Sequence, residues 1–313
     1  MKAPITIIVP VRNRAHLVER TLASIAASTG AFAELIVVDN GSEDETEAVC
    51  RRWAAQHPEV PMRLLTEPKA GAAVARNTGL RMCRTDYVYF FDSDDVFSAN
   101  FIEAISPELE RPFDVLCVPV RQDVNGNMHV RAYQACADVH VHLLNNMLST
   151  QSMVMRKAFL EEIGGWNEEL TTWDDWELGV RVLLARPRLR WHEGEAFHQI
   201  FVHDDSLTGE SFTATLPAIV KASRVVMKAL KEAPMKDEER RRAMKAYYLR
   251  CKIYSGHLRR EGNRDGEAQF DALAEESLNE ASCGLKRIGD TLKWYVAKGG
   301  RGAWKMALLA CKP

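Results

Sequence analysis

The sequence lacks long apolar runs, an excess of charge of one sign and closely paired cysteines. No stretch reaches the roughly 18 apolar residues of a membrane-spanning helix, so none is predicted. With 43 acidic and 41 basic residues the formal net charge is −2, which gives no electrostatic argument for a nucleic-acid partner. The 7 cysteines are odd in number and include no C-x-x-C pair. This spacing argues against a disulfide framework or a zinc ribbon and favours reduced thiols in a cytosolic protein. The N-terminus also lacks the pattern of a secretory signal.

Two glycine-rich phosphate loops are missing as well. A Rossmann dehydrogenase needs G-x-G-x-x-G after its first strand, where this chain has Val11-Arg12-Asn13-Arg14. A P-loop enzyme needs G-K followed by Ser or Thr after a strand, and the sequence contains no such motif. These absences exclude two common classes of nucleotide-binding α/β enzyme.

Strands and helices alternate along the first hundred residues. Apolar, β-branched runs predict buried strands, and helical spacing predicts helices between them. The predicted strands are 5–11, 35–38, 62–66 and 87–91, and the predicted helices are 16–28, 43–56 and 70–82. Ser42 is the expected N-cap of the second helix. Such alternation is typical of a mostly parallel central sheet flanked by helices, which is the predicted α/β fold.

The later part of the chain is less regular. A helix is expected at 101–110, a strand at 114–121, a further strand at 128–133 and a helix at 173–185. Beyond about residue 210 the pattern is helical throughout. The predicted domains are therefore 1–209, an α/β domain, and 210–313, a helical C-terminal region.

Polar clusters follow three of the predicted strands. They are Arg12-Asn13, Asp39-Asn40 and the segment from Asp92 to Asp95. In open α/β sheets, ligands bind beyond the carboxyl ends of the strands. The three clusters are therefore expected to converge on one crevice.

The segment Asp92-Ser93-Asp94-Asp95 places three carboxylates in four residues. Like charges at this spacing repel unless a cation or hydrogen-bond donors compensate them, and a divalent metal with a bound diphosphate is one such compensation. The structural alternative is a helix N-cap, because Asp and Ser favour helix starts.

A second acidic cluster lies at the start of a predicted helix, where Asp174 and Asp175 stand between Trp173 and Trp176 and Glu177 follows. Acidic residues there complement the helix dipole, which is again the structural alternative. Aromatic walls partly desolvate a carboxylate and raise its pKa toward the range of a general base. His203 is a further candidate, although a single histidine is more often structural than a metal ligand.

Six motifs occur in one order along residues 3–209. They are Ile8-Val9-Pro10-Val11-Arg12-Asn13-Arg14, Val37-Val38-Asp39-Asn40-Gly41-Ser42-Glu43-Asp44, Ala70-Gly71-Ala72-Ala73-Val74-Ala75-Arg76-Asn77-Thr78-Gly79, Phe91-Asp92-Ser93-Asp94-Asp95, Gly164-Gly165-Trp166-Asn167-Glu168 with Asp174-Asp175-Trp176-Glu177-Leu178, and His203-Asp204-Asp205-Ser206-Leu207-Thr208-Gly209. Together they resemble the motifs of family-2 glycosyltransferases, which have the GT-A fold and invert the anomeric centre. The chain departs from that pattern at Arg12, where the family has Tyr, and at Asp174, where it has Glu.

The resemblance implies a role for each matching residue. Asp94 would bind a metal ion, Mn²⁺ or Mg²⁺, with help from His203, and Asp175 would be the catalytic base. Asp39 would contact the base of the nucleotide. The full set expected to bind the nucleotide-sugar is Pro10, Arg12, Asn13, Asp39, Arg76, Asp92 and Ser93.

The same resemblance implies the substrates. The donor would be a nucleotide-diphosphate sugar, by default a UDP-sugar, and the acceptor a carbohydrate or lipid-linked glycan in surface polysaccharide synthesis. Two alternatives stay open: a catalytically inactive GT-A-like protein that binds carbohydrate or nucleotide, and a sugar nucleotidyltransferase.

The last thirty residues mix basic with aromatic and aliphatic side chains. The seven basic residues are Lys286, Arg287, Lys293, Lys298, Arg301, Lys305 and Lys312. This composition favours a peripheral contact with anionic lipid, and the alternative is an amphipathic helix packed on the rest of the protein. The expected location is the cytoplasm or the inner face of the membrane.

Overall fold

The computed structural model describes residues 3–124, 126–131, 133, 135–202, 211–278 and 283–311. The chain divides into two compact units. The first comprises Met1–Ala135, Leu148–Thr171 and Arg186–His203, and the second Cys136–Met147, Thr172–Ala185 and Asp204–Pro313. This division differs from the predicted domains 1–209 and 210–313, because two segments from the middle of the chain belong to the second unit.

In the part of the chain that the structure describes, the first unit is built on ten strands. They are β1 (Ala3–Val11), β2 (Phe32–Asp39), β3 (Met62–Thr66), β4 (Tyr87–Phe90), β5 (Val115–Cys117), β6 (Val120–Val124), β7 (Asn127–Val130), β8 (Met153–Arg156), β9 (Leu189–Trp191) and β10 (Phe197–Val202). Seven of them form a sheet in the order β3-β2-β1-β4-β8-β5-β9. Only β8 runs antiparallel to its neighbours, so the predicted mostly parallel sheet is confirmed.

A smaller sheet has the order β10-β6-β7. Here the sequence prediction is wrong in one respect, because the single strand expected at 114–121 is two strands in different sheets. Pro119 separates β5 from β6. Proline has no N–H to donate to a neighbouring strand, so the ladder ends where it occurs.

The helices are distributed over both units. In chain order they are α1 (Val18–Ala26), α2 (Thr46–Gln56), α3 (Ala72–Met82), α4 (Phe101–Leu109), α5 (Val139–Asn145), α6 (Lys157–Glu162), α7 (Asp174–Leu184), α8 (Leu216–Glu232), α9 (Asp237–Arg260), α10 (Arg264–Ser277), α11 (Cys283–Ala297) and α12 (Ala303–Ala310). The first unit contains α1 to α4 and α6. The second unit contains α5, α7 and α8 to α12.

The core of the first unit surrounds the central strand β1. Ile5, Ile7 and Val9 are fully buried in it, as is Ile8. Helix α3 lies close to this strand at Gly79, where an added Cβ would come within 2.5 Å of Ile8 Cγ2. A side chain at position 79 would force Ile8 to shift, so glycine allows this close approach of helix to sheet.

The second unit is organised around the 24-residue helix α9. Helices α5, α10 and α11 all pack against it. Gly256 of α9 faces the backbone of Lys293 on α11, where an added Cβ would lie 2.6 Å from the Lys293 carbonyl oxygen. Among the residues described, no helix combines the length and the apolar character needed to cross a membrane.

Candidate functional site

The carboxyl ends of β1, β2 and β4 lie side by side in the sheet. Strand β1 pairs with β2 on one side and with β4 on the other, so the direction of the strand order reverses between β1 and β4. Ligands bind at such a switch point in open α/β sheets. The three polar clusters predicted from the sequence follow these three strands, and the structure thus brings them to one edge.

The loop after β1 is tied to the loop after β2 by Asn13. Asn13 has a φ of 51°, a left-handed conformation that asparagine tolerates. Its backbone N–H donates to Ser42 Oγ at 3.0 Å, and its side-chain oxygen accepts from the Glu43 N–H at 2.8 Å. Pro10 is partly buried in β1, whereas the side chain of Arg12 is exposed. Asn13 therefore connects the two loops, and Arg12 points its charge toward solvent.

Asp39 ends β2 and is only 2% exposed. Its carboxylate accepts from Ser42 Oγ at 2.5 Å and from the Ser42 N–H at 3.2 Å. The sequence prediction that Ser42 is the N-cap of α2 is therefore wrong. Its hydroxyl donates to Asp39, and the helix begins only at Thr46. These bonds fix the orientation of the Asp39 carboxylate within its own turn.

Arg76 joins three of the sequence motifs. Its Nη2 donates to Asp92 Oδ1 at 2.9 Å, and its guanidinium carbon lies 4.4 Å from the centre of the Trp166 ring. The neighbouring Asn77 donates to the Trp166 carbonyl and accepts from the Trp166 N–H, each at 2.9 Å. Helix α3 thereby holds both the turn at Trp166 and the first carboxylate of the Asp92–Asp95 loop.

Asp95 is the buried member of that loop, at 2% exposure. Its Oδ2 accepts from Gln151 Nε2 at 2.5 Å and its Oδ1 from the Phe201 N–H at 2.9 Å. Burial, together with the negative charges of Asp92 and Asp94, raises the pKa of Asp95 well above its ordinary value. Gln151 Nε2 also donates to Asp92 Oδ2 at 2.9 Å, so one amide bridges two carboxyl groups.

Asp94 has different surroundings. Its side chain keeps 19% of its surface exposed, and Oδ2 lies 3.7 Å from Arg14 Nε. Its backbone carbonyl accepts from Arg20 Nη2 at 2.5 Å, while the carbonyl of the buried Ser93 accepts from Thr21 Oγ1 at 2.9 Å. Contacts from α1 therefore hold the loop through the backbone of Ser93 and Asp94.

The alternative that this loop caps a helix is wrong. The following helix, α4, begins at Phe101 with Asn100 at its N-cap. Hydrogen-bond donors and arginines compensate the carboxylates instead. Over the described residues, no three His, Cys, Asp or Glu side chains form a group able to hold a metal ion. The predicted second ligand, His203, lies outside the described residues.

Asp175, the predicted base, lies in the first turn of α7 in the second unit. Its Oδ1 accepts from the Trp176 N–H at 2.6 Å, and Asp174 Oδ1 accepts from the Asp175 N–H at 3.1 Å. Glu177 is 2% exposed and binds Arg181 through both oxygens, at 2.6 and 2.8 Å. Asp174 and Asp175 thus accept backbone donors of the helix start, while Glu177 is engaged in a buried ion pair.

Sequence analysis missed several residues that organise the site. Gln151 and Thr21 hold the Asp92–Asp95 loop, and Trp166 supplies the ring beneath Arg76. Gln151 is 59 positions from Asp92, so no local spacing could identify it. Trp166 belongs to one of the six motifs, but its position in the sequence does not predict its contact with the Arg76 guanidinium.

The family comparison covers about half of the chain. A model described as glycosyl transferase family 2 matches residues 6–161. The pre-mycofactocin glycosyltransferase of Mycobacterium tuberculosis is 29% identical over 204 residues, covering 60% of this chain. The alignment covers 40% of that relative, so the chain matches well under two thirds of its length.

Two solved structures share the fold. S. aureus TarS in complex with UDP-GlcNAc has a TM-score of 0.74 at 16% identity and covers 96% of this chain and 93% of its own. The mannosyltransferase PcManGT from Pyrobaculum calidifontis, in complex with GDP-Man and Mn²⁺, has a TM-score of 0.59 at 18% identity and covers 99% and 87%. The fold is therefore GT-A, as the sequence motifs predicted. The family model also covers β1, β2 and β4, the strands that form the switch point. The chain therefore belongs to glycosyl transferase family 2.

Proposed function

We propose that this protein transfers a sugar from a nucleotide-diphosphate donor to an acceptor hydroxyl, with inversion at the anomeric carbon. One observation carries the proposal: the Asp92–Asp95 loop lies at the switch point of the sheet, where Gln151 bridges Asp92 and Asp95 and the Asp94 side chain lies beside Arg14. Three carboxylates gathered at this edge suit a loop that meets a diphosphate through a cation.

The donor's nucleotide is proposed to lie along the ends of β1 and β2. Asp39, fixed by Ser42, would accept hydrogen bonds from the base, and Pro10, Asn13 and Arg12 would line the same edge. Arg76, Asp92 and Ser93 would border the diphosphate. Arg76 is positioned for this by Asp92 and by the Trp166 ring, which together limit its movement.

A metal ion, Mn²⁺ or Mg²⁺, fits the Asp94 carboxylate. Hard cations of this kind need only one or two protein carboxylates when substrate phosphates complete their coordination. Asp94 would hold the ion, and His203 is proposed as a second ligand. When bound, the ion would neutralise charge on the departing diphosphate. PcManGT, which shares the fold, was solved with Mn²⁺, and this supports the assignment.

Asp175 is the proposed general base. The acceptor hydroxyl loses its proton to the Asp175 carboxylate as its oxygen forms the bond to the anomeric carbon. The bond from that carbon to the diphosphate oxygen breaks at the same time, and the nucleoside diphosphate leaves with the electron pair. A single displacement of this kind inverts the anomeric configuration. Glu177 is less suited to the role because Arg181 occupies both of its oxygens.

The donor is proposed to be a UDP-sugar. TarS, whose TM-score is higher than that of PcManGT, was solved with UDP-GlcNAc. PcManGT carries GDP-Man, so a GDP-sugar is the first alternative to test. The proposed acceptor is a carbohydrate or a lipid-linked glycan of a surface polysaccharide.

Replacing Asp175 by Asn tests the reaction. A panel of nucleotide sugars scored for released nucleotide first identifies the donor. With that donor, Asp175→Asn should lower kcat at least about a hundredfold, because general base catalysis contributes about that much, while donor affinity is retained. Asp174→Asn, one residue away in the same helix turn, is the matched control and should keep most activity.

Each alternative gives a distinct result in the same assay. Normal turnover of Asp175→Asn would remove the base assignment. Donor binding without any transfer would indicate a catalytically inactive binding protein. Formation of a nucleotide-sugar from a sugar phosphate and a nucleoside triphosphate would indicate a sugar nucleotidyltransferase.

A peripheral membrane contact through α11 and α12 is proposed as a second property. Both helices expose apolar side chains: Trp294 is 59% and Leu309 is 64% exposed. Arg287, Lys298, Arg301 and Lys305 are exposed on the same two helices or the turn between them. Lys293 is not available, because it pairs with Glu267 and Asp271, and Lys312 lies outside the described residues. Binding at the inner face of a membrane would bring the enzyme to lipid-linked acceptors.

A further inference from the structure

The side chain of Arg250 is buried in the second unit, in the middle of α9. The residue is 6% exposed. Its Nη1 donates to the Leu143 carbonyl of α5 at 2.7 Å, and its Nε has no hydrogen-bond partner within the described part of the chain. Removing a guanidinium from water is costly, and a single backbone carbonyl compensates only part of that cost.

Three aromatic rings surround this guanidinium. Its central carbon lies 4.0 Å from the centre of the Trp176 ring and 4.8 Å from those of Trp173 and Tyr254. Attraction between a cation and the face of an aromatic ring is strongest when both are shielded from water. The buried charge is therefore held mainly by rings, two of which belong to the start of α7.

Trp173 and Trp176 flank Asp175 in that helix start. Trp173 is the N-cap of α7 and has a φ of 57°, a left-handed conformation that is unusual for a large side chain. A strained backbone of this kind persists only where surrounding contacts over-determine it. Trp173 has such contacts, since its ring packs on Tyr254 at 4.6 Å and on Trp176 at 5.5 Å as well as on Arg250.

We propose that Arg250 is a positioning residue for transfer: by binding Trp173 and Trp176 it holds the first turn of α7, and with it the carboxylate of Asp175, in the orientation required of a base. The inference rests on the proposed role of Asp175. It adds that a residue of α9, which bears none of the family motifs, sets the geometry of that base.

Charge links the two residues as well. The negative charge of Asp175 is among the interactions that raise the pKa of Arg250, against the larger lowering caused by burial.

Arg250→Met tests the proposal, with donor KM and kcat as readouts. Without the guanidinium the rings of Trp173 and Trp176 lose the cation that holds them, so kcat should fall at least about tenfold as the base leaves its orientation. Donor KM should change less than about twofold, because the donor is bound elsewhere.

Arg250→Lys separates charge from position. Lysine keeps the charge but lacks the planar fork that stacks on rings and reaches a carbonyl at once. We expect kcat to fall about tenfold with donor KM unchanged. Should the methionine variant fail to fold, the lysine variant decides alone: wild-type kcat in that variant overturns the positioning role.

Arg240→Met is the matched structural control. Arg240 lies on the same helix and donates to the carbonyls of Leu230, Lys231 and Ala233 at the end of α8, at 2.7 to 2.8 Å. Its removal should lower Tm without lowering kcat. A folded Arg250→Met protein that likewise loses only Tm contradicts the proposal.

The double variant Asp175→Asn with Arg250→Met keeps this test separate from the test of the reaction. If Arg250 acts only by holding Asp175, adding Arg250→Met to Asp175→Asn should lower kcat no further. A further fall of kcat in the double variant overturns the positioning role. A normal rate of transfer by Asp175→Asn overturns the base instead.

Discussion

At the scale of single residues, the Asp92–Asp95 loop gives three aspartates three different environments. Asp92 binds Arg76 and Gln151, Asp95 is buried against Gln151 and a backbone N–H, and Asp94 is partly exposed beside Arg14. One sequence motif therefore contains a carboxylate in an ion pair with Arg76, a carboxyl group whose pKa burial raises, and the carboxylate of Asp94, which is proposed to meet a cation. Substitutions at these positions should have different effects.

Asp94→Ala should weaken nucleotide binding only when metal is present. If Asp94 bridges to the diphosphate through a cation, its removal should lower UDP affinity in Mn²⁺ at least about tenfold, or about 1.4 kcal/mol. Calorimetry with Mn²⁺ and with a chelator measures both conditions. Asp86→Ala, at an exposed position, is the control and should bind as the wild type does. Equal wild-type affinity in Mn²⁺ and in chelator would refute a metal bridge.

Asp95→Asn should remove a pH-dependent loss of stability. The pKa of Asp95 is raised in the folded protein by burial first and by its acidic neighbours second. Protonation therefore favours the folded state: the stabilisation is complete below the unfolded pKa of about 3.9 and is lost as pH rises through the folded pKa. The free energy of unfolding should fall over that range by up to about 1.4 kcal/mol per pH unit.

Urea unfolding at a series of pH values measures this slope. Asn keeps the oxygen that accepts from the Phe201 N–H but carries no titrating proton, so the Asp95→Asn curve should be flatter than that of the wild type. Asp86→Asn serves as the surface control and should leave the slope unchanged. Parallel curves for the wild type and Asp95→Asn would show that Asp95 titrates normally.

At the scale of elements, the approach of α3 to β1 is a packing constraint. A Cβ at position 79 would lie 2.5 Å from Ile8 Cγ2, in a fully buried contact. Gly79→Ala should therefore destabilise the protein by about 1–3 kcal/mol, as overpacking does in a tight core. Thermal or chemical denaturation measures this loss.

Gly284→Ala provides the contrast on α11. Among the described residues beyond its own helix turn, no atom lies within 4 Å of a Cβ added there, so alanine should have no effect or stabilise the helix by about 0.4–1 kcal/mol. If Gly79→Ala were equally harmless, α3 would have room to move away from β1. The glycine of the family motif would then need a different explanation.

The elements themselves were predictable where one periodicity dominates. The apolar runs gave β1 to β4, and helical spacing gave α3, α4 and α7 to within a few residues. The misses have local causes: Pro119 divides a run that reads as one strand, and Ser42 bonds backward to Asp39 instead of forward into α2. The site was predicted only as far as its strand ends, because Gln151, Trp166 and Arg250 act through contacts between distant parts of the chain.

At the scale of the whole molecule, the exposed apolar residues of α11 and α12 predict binding to anionic vesicles. The protein should co-sediment with vesicles containing phosphatidylserine at low salt and remain in the supernatant with neutral vesicles, because each nearby basic residue contributes about 1 kcal/mol only on an anionic surface. Trp294→Gln combined with Leu309→Gln should release it. These two side chains are exposed, so the fold should be preserved.

A matched pair on β7 controls for lost surface hydrophobicity. Met128 and Val130 are 46% and 61% exposed, and the double variant Met128→Gln with Val130→Gln should bind vesicles as the wild type does. A wild-type protein that stays in the supernatant with anionic vesicles would contradict the membrane proposal. Helices α11 and α12 would then serve only in packing. Leu292 and Val296 of α11, both 1% exposed, already show that part of this segment is packed.

The second unit is assembled from three separate segments of the chain, so its parts leave the ribosome at different times. Helices α5 and α7 leave the exit tunnel early, yet their partner α9 comes much later, and the hydrogen bond from Arg250 to Leu143 spans 107 positions. At about 5–20 residues per second, α5 must wait roughly 5–20 s for that partner. During this interval the rings of Trp173 and Trp176 have no Arg250 to bind, so the nascent chain exposes aromatic surface that a chaperone would recognise. A nascent chain released before α9 emerges would carry Asp175 without the contacts that orient it.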